Sequence, residues 1–105
     1  MKKYLPFVCF KCRTSFLRAR DLHRDKATCP YCSHQAVRYH PDVELPDKSD
    51  EVQWQVLEFL RDHGFYYQPV YNDISLGGLM FVAYPKNMEE AEVFVKKYKR
   101  WAENR

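Results

Sequence analysis

Two short motifs, Cys9-Phe10-Lys11-Cys12 and Cys29-Pro30-Tyr31-Cys32, flank the 16 residues from Arg13 to Thr28. A Cys-x-x-Cys turn lets two thiolates converge on one tetrahedral ion. A loop of about 15–20 residues suffices for a second turn to supply the other two corners. The spacing predicts a closed four-cysteine zinc site with Cys9, Cys12, Cys29 and Cys32 as its ligands. Rubredoxin-like iron uses the same four thiolates, and spacing does not choose between the two metals. Two disulfides would need an oxidising compartment, to which nothing in the chain points.

Phe7 and Val8 before the first turn, Thr14 to Leu17 after it, and Ala36 to Tyr39 after the second are predicted as short strands. With them, about the first 40 residues resemble the zinc-ribbon group, whose short strands carry zinc knuckles. The resemblance implies one structural Zn²⁺ and no particular activity. In such knuckles the residue after the second Cys is often Gly, because the turn needs a positive φ. Arg13 and Ser33 stand there instead. Cys29-Pro30-Tyr31-Cys32 also resembles the active-site tetrapeptide of glutaredoxins, which implies thiol redox chemistry at a helix N-terminus. Here it is followed by Ser33-His34-Gln35 and then Pro41, which leaves little room for a helix. His23, His34 and His40 are expected to lie outside a tetrahedron that four cysteines already complete.

A unit of about 40 residues buries too little surface to stand alone, so a metal staple there has a physical purpose, and its removal should cost that part its structure. The basic charge is concentrated in the same stretch. Residues 1–40 carry nine Lys/Arg against Asp21 and Asp25, a net +7, whereas residues 41–105 carry a net −4. Four thiolates and one Zn²⁺ would lower the first value to about +5. Arg13, Arg18, Arg20, Arg24 and Lys26 lie between or just after the metal turns and form a candidate phosphate-tracking loop, with Phe10, Phe16 or Tyr31 as stacking faces. The opening residues, cut short by Pro6 and Lys11, do not read as a signal peptide, and no stretch approaches the roughly 18 apolar residues of a membrane span. A cytoplasmic, reducing location is expected, with no membrane partner.

Pro41 to Lys48 holds two prolines among acidic residues and reads as an extended linker. The expected division is 1–41 zinc ribbon, 42–48 linker and 49–105 α-β-β-α unit, an α+β chain whose parts are close enough to pack as one body. Ser49 is the expected cap of a helix whose apolar face is Val52, Val56, Phe59, Leu60 and His63, widened by Trp54 and Leu57, and Gly64 stops it. Phe65 to Tyr71 and Leu79 to Tyr84 read as hairpin strands, with Asn72-Asp73 and Gly77-Gly78 bracketing Ile74 to Leu76. Asn87 and Glu90 form a capping-box pattern for a second helix, with Ala91, Phe94, Val95, Tyr98, Trp101 and Ala102 on one face.

The order strand, helix, strand, strand, helix from Ala36 onward resembles a ferredoxin-like unit lacking its last strand. Within it, Gly77-Gly78-Leu79-Met80-Phe81-Val82-Ala83-Tyr84 resembles the RNP1 octapeptide of RNA-recognition motifs at Gly78, Phe81, Val82 and Tyr84. That resemblance implies an exposed Phe81 that stacks on a base. Catalysis is not expected: the chain has no phosphate-cradling loop, no His-Glu-x-x-His and no nucleophile–base set. The expected function is a non-enzymatic zinc module that binds nucleic acid or acts as a regulatory accessory. The alternatives are a protein-interaction adapter using the C-terminal unit, and a thiol-redox or iron protein.

Overall fold

The computed structural model describes residues 3–73 and 78–105. Expectations that fall on Lys2 or on Ile74 to Gly77 lie outside the described residues. The architecture is α+β, with a four-stranded antiparallel sheet followed by two helices and a two-stranded sheet.

Strands β1 (Tyr4–Cys9) and β2 (Thr14–Ala19) form one hairpin, and β3 (Lys26–Thr28) and β4 (Gln35–Arg38) form another. Pairing of β1 with β4 gives the order β2-β1-β4-β3. The pleat sorts side chains by parity. Phe7, Cys9, Phe16 and Ala36 share a cluster with Cys29, while Val8 and Tyr39 belong to a second cluster with Trp54 and Leu57. Pro6 lies in a central strand, where a missing N–H matters. Tyr39 N–H donates to the Pro6 carbonyl at 2.8 Å, but Pro6 has no N–H to return, so the β1–β4 ladder runs no further than Phe7 opposite Arg38.

Helix α1 (Glu51–Asp62) starts one residue later than the sequence suggests. Asp50, not Ser49, is the cap, and its carboxylate accepts the Gln53 N–H at 3.2 Å. Its apolar face also differs from the expected stripe: Val52 and His63 are exposed, while Trp54, Val56, Leu57 and Leu60 are buried. The reason is that α1 serves two clusters. Val56 and Leu60 pack with Phe65, Val70, Ala91, Phe94 and Val95, while Trp54 and Leu57 pack with Val8 and Tyr39 of the N-terminal sheet. The segment 42–48 joins this packing, with Val43 and Leu45 against the second group and the Asp47 carbonyl accepting from Trp54 Nε1 at 2.9 Å. A shared core therefore joins the N-terminal sheet to the helices.

Helix α2 (Met88–Lys97) begins as expected, with the Asn87 side chain accepting the Glu90 N–H at 2.8 Å, and it passes into a 3-10 turn, Lys99–Trp101. The expected long strands are shorter. Among the described residues of this part, β5 (Tyr71–Asp73) and β6 (Leu79–Phe81) alone form a ladder. Residues 65–70 bend instead, with Tyr67 at φ 64°, and the buried Gln68 side chain supplies the hydrogen bonds a ladder would have made. Its amide accepts the Tyr66 N–H and donates to the carbonyls of Gly64 and Trp101. The ferredoxin-like order is not realised, because β4 pairs with β1 and β3 while β5 and β6 form a separate sheet.

Candidate metal centre and binding surfaces

The two hairpins end in equivalent turns. Cys9 faces Thr14 across the first, and Cys29 N–H donates to the His34 carbonyl at 2.8 Å across the second. Corresponding residues are separated by the same interval in both, so Cys12 matches Cys32 and Arg13 matches Ser33. Arg13 and Ser33 both take positive φ, 55° and 63°. These are the positions where knuckles commonly carry Gly, and side chains there adopt the left-handed backbone that the turn requires.

The four Sγ atoms lie within 4.8 Å of one another, with Cys9 to Cys32 at 3.5 Å and Cys12 to Cys29 at 3.6 Å. A Zn–S bond of about 2.3 Å sets the edge of a four-sulfur tetrahedron at about 3.8 Å, so the cluster has the dimensions of a four-thiolate site for a metal ion. All four cysteines are free, so the disulfide alternative is not formed. The knuckle backbone is arranged for negative sulfur. Cys9 Sγ receives the N–H groups of Cys12 and Lys11, Cys29 Sγ those of Tyr31 and Cys32, and Cys32 Sγ that of His34. The Thr14 hydroxyl lies 3.0 Å from Cys12 Sγ.

Four thiols this close cannot all be ionised unaided, because like charges oppose one another. Burial pushes the Cys9 thiol up despite its amide donors. At Cys29 burial acts in the same sense, but the Tyr31 and Cys32 amides and the neighbouring thiols outweigh it and draw the group down to about 6. At Cys32 the His34 amide favours the thiolate, yet burial and the adjoining sulfurs push it up to about 12. A divalent cation removes this conflict by taking all four as thiolates, so its binding must release protons and weaken in acid.

Cys29 to Cys32 closes a β-hairpin and opens no helix, so the glutaredoxin-like context is missing. The histidines lie off the tetrahedron. His23 and His34 are exposed, and His40 Nε2 meets Glu103 Oε2 at 2.7 Å. The basic residues are dispersed. Arg13 bonds the Lys48 carbonyl and Glu51, each at 2.7 Å, tying the first knuckle to the start of α1. Arg18 stacks over Phe16 at 4.5 Å on edge strand β2, Arg20 follows that strand, Arg24 is exposed in the next loop, and Lys26 is on the other edge strand, β3. The loop between β2 and β3 is pinned by buried Arg38, which donates to the Arg24 carbonyl and Asp25 at 3.0 Å each.

Phe81 is 71% exposed, as the RNP1-like pattern requires. It faces Tyr71 across the β5–β6 ladder with ring centroids 4.8 Å apart, and Tyr71 in turn lies 5.4 Å from Trp101. The Arg100 guanidinium sits over Trp101 at 5.4 Å. The sequence pattern puts Tyr71 in a longer strand and Trp101 on the core face of a helix. Nothing local signals that a strand and a 3-10 turn bring them to Phe81.

Comparison with protein-family models, with curated proteins and with solved structures finds no match for this chain.

Proposed function

We propose that this chain is a non-enzymatic binding module for single-stranded nucleic acid. Zn²⁺ held by Cys9, Cys12, Cys29 and Cys32 acts as its structural staple. Four protein ligands fill a tetrahedron, so the metal offers no open position to a substrate, and its contribution is rigidity. The observation that carries the nucleic-acid reading is exposed Phe81, backed by half-buried Tyr71 and then half-buried Trp101, with the Arg100 guanidinium over the last ring. Aromatic faces accept any base, and the positive charges where α2 ends, Lys97, Lys99 and Arg100, suit a phosphate backbone. The positive N-terminal part, with Arg18, Arg20, Arg24 and Lys26, adds long-range attraction.

The test is a titration of the zinc-loaded chain with labelled oligo-dT and oligo-U, followed by fluorescence anisotropy. Affinity should fall steeply as salt rises. Phe81→Ala, at an exposed position, should weaken binding by about 5- to 100-fold, the cost of one lost stacking platform. Arg18→Ala with Arg20→Ala should weaken it more modestly and flatten the salt dependence. Absence of binding at low salt, or a Phe81→Ala protein that binds like its parent, would remove the nucleic-acid reading. Stoichiometric zinc by elemental analysis tests the staple separately.

A further inference from the structure

Strand β2 is an outer strand of the four-stranded sheet, and its register fixes which backbone groups are free. Arg20 N–H donates to the Lys3 carbonyl at 2.8 Å, so Lys3 and Arg20 form a hydrogen-bonded pair. Such pairs alternate along an antiparallel ladder. Leu5 with Arg18, Phe7 with Phe16 and Cys9 with Thr14 therefore exchange bonds, whereas Tyr4 with Ala19, Pro6 with Leu17 and Val8 with Ser15 do not. Pro6, without an N–H, fits its place in the second set. The N–H and C=O groups of Ser15, Leu17 and Ala19 thus point away from β1 toward solvent. The Arg18 guanidinium leans over this edge, bonded to the Leu17 carbonyl at 3.1 Å.

Exposed edges are normally blunted by shortness, a lysine, a proline or a bulge. The opposite edge follows that rule, since β3 has three residues and carries Lys26. The β2 edge is guarded less: it carries one charge, Arg18, at the Leu17 carbonyl, and runs for six residues in unbroken register with neither Lys nor Pro. Its two faces differ in chemistry. Leu17, 61% exposed, lies with Ala19 on one face, while Arg18, and Arg20 beyond the strand, lie on the other. Lys11 and Lys3 are exposed at its two ends.

We propose that the β2 edge accepts an extended acidic segment of a partner protein as an added strand. Its carboxylates would lie on the Arg18 face and its apolar side chains on the Leu17 face. Charge selects this occupant over a second copy of the chain, because two metal-loaded N-terminal parts, each of net charge about +5, would repel each other. This surface shares Arg18 and Arg20 with the long-range attraction proposed above but not Phe81, so Phe81→Ala, which should leave peptide binding at the edge unchanged, separates the two readings.

The experiment uses the zinc-loaded chain and a capped peptide alternating valine with glutamate, read by anisotropy and by amide hydrogen exchange. Binding should slow exchange at Ser15, Leu17 and Ala19 and leave Thr14, Phe16 and Arg18, already bonded to β1, unchanged. Leu17→Pro removes an outward N–H without touching the β1 ladder and should lower affinity about tenfold or more, the loss of an edge hydrogen bond and the fit around it. Arg18→Glu with Arg20→Glu keeps the test decisive should the proline variant fail to fold, and should abolish the preference for glutamate over a lysine-bearing peptide. The proposal is overturned by absence of binding, by binding without the alternating protection, or by the same protection arising from self-association of the chain alone.

Discussion

Tyr39 is fully buried where the sheet meets α1, between Phe10 and Tyr66, and its hydroxyl has no hydrogen-bond partner among the described residues. Burial drives its phenol well above the ordinary range, so the group stays neutral and polar in apolar surroundings. An unsatisfied buried hydroxyl costs more than it returns. Tyr39→Phe should therefore leave the ring packing intact and raise stability by up to about 1 kcal/mol in urea denaturation. A clear loss of stability would mean that the hydroxyl has a partner, such as ordered water. Other residue-level features show how little of this is local. Arg38 looks like a polar residue of a strand, yet it is buried and braces the loop at Arg24 and Asp25. Only the path of that loop reveals what its guanidinium holds. Arg13, expected as a phosphate contact, instead spends its guanidinium on Glu51 and the Lys48 carbonyl.

At the scale of elements, the stop of α1 and the cap of α2 were readable, whereas the cap of α1 falls on Asp50 instead of Ser49 and the strand lengths were not legible. Gly64 ends α1 with φ 87°, as its glycine suggests, but the structure adds a second constraint. A Cβ there would lie 2.7 Å from the Glu103 carbonyl oxygen, and Glu103 N–H donates to the Gly64 carbonyl at 2.8 Å. Gly64→Ala should cost at least about 2 kcal/mol, from backbone strain and displacement of residues 102–103 together. Thermal denaturation of the zinc-loaded protein would check it. The Asn87 cap and the apolar spacing of α2 were legible because both are local patterns. The strands predicted over Phe65 to Tyr71 and Leu79 to Tyr84 shrank to β5 and β6, because Gln68 and the Tyr84 hydroxyl, which donates to the Gln68 carbonyl at 2.6 Å, satisfy the backbone in place of a ladder. Tertiary hydrogen bonding overrode β propensity there.

For the whole molecule, the helical cluster and the metal cluster are joined through Val8, Tyr39, Trp54 and Leu57. The Cα radius of gyration, 14.4 Å, exceeds the about 13 Å of a compact chain of this length. The metal cluster has few apolar residues beyond its cysteines, namely Phe7, Phe16, Ala36 and Ala27. Chelation should therefore release one equivalent of zinc, collapse amide protection across β1 to β4, and leave protection in α2 less affected. Uniform survival of protection would refute the staple. Acid offers an independent check on the docking of the last residues. Glu103 lies beside His40 and is bonded by Arg105, which hold its carboxyl down to about 2. Its contribution is complete above about pH 4.5, the unfolded carboxylate range, and is lost as pH falls toward 2. The stability gap between the parent and Glu103→Gln should thus be full near neutrality and close on acidification, whereas zinc release affects both proteins alike.

The amino-acid order alone determined the donor set, because four thiols at that spacing have few geometries open to them, and it marked the Asn87 cap and the α+β class. The shared core, the tethering of Arg13, the aromatic file around Phe81 and the free edge of β2 were decided by tertiary structure. Each depends on segments distant in the chain meeting in space, and no local pattern of hydrophobicity or charge encodes that meeting.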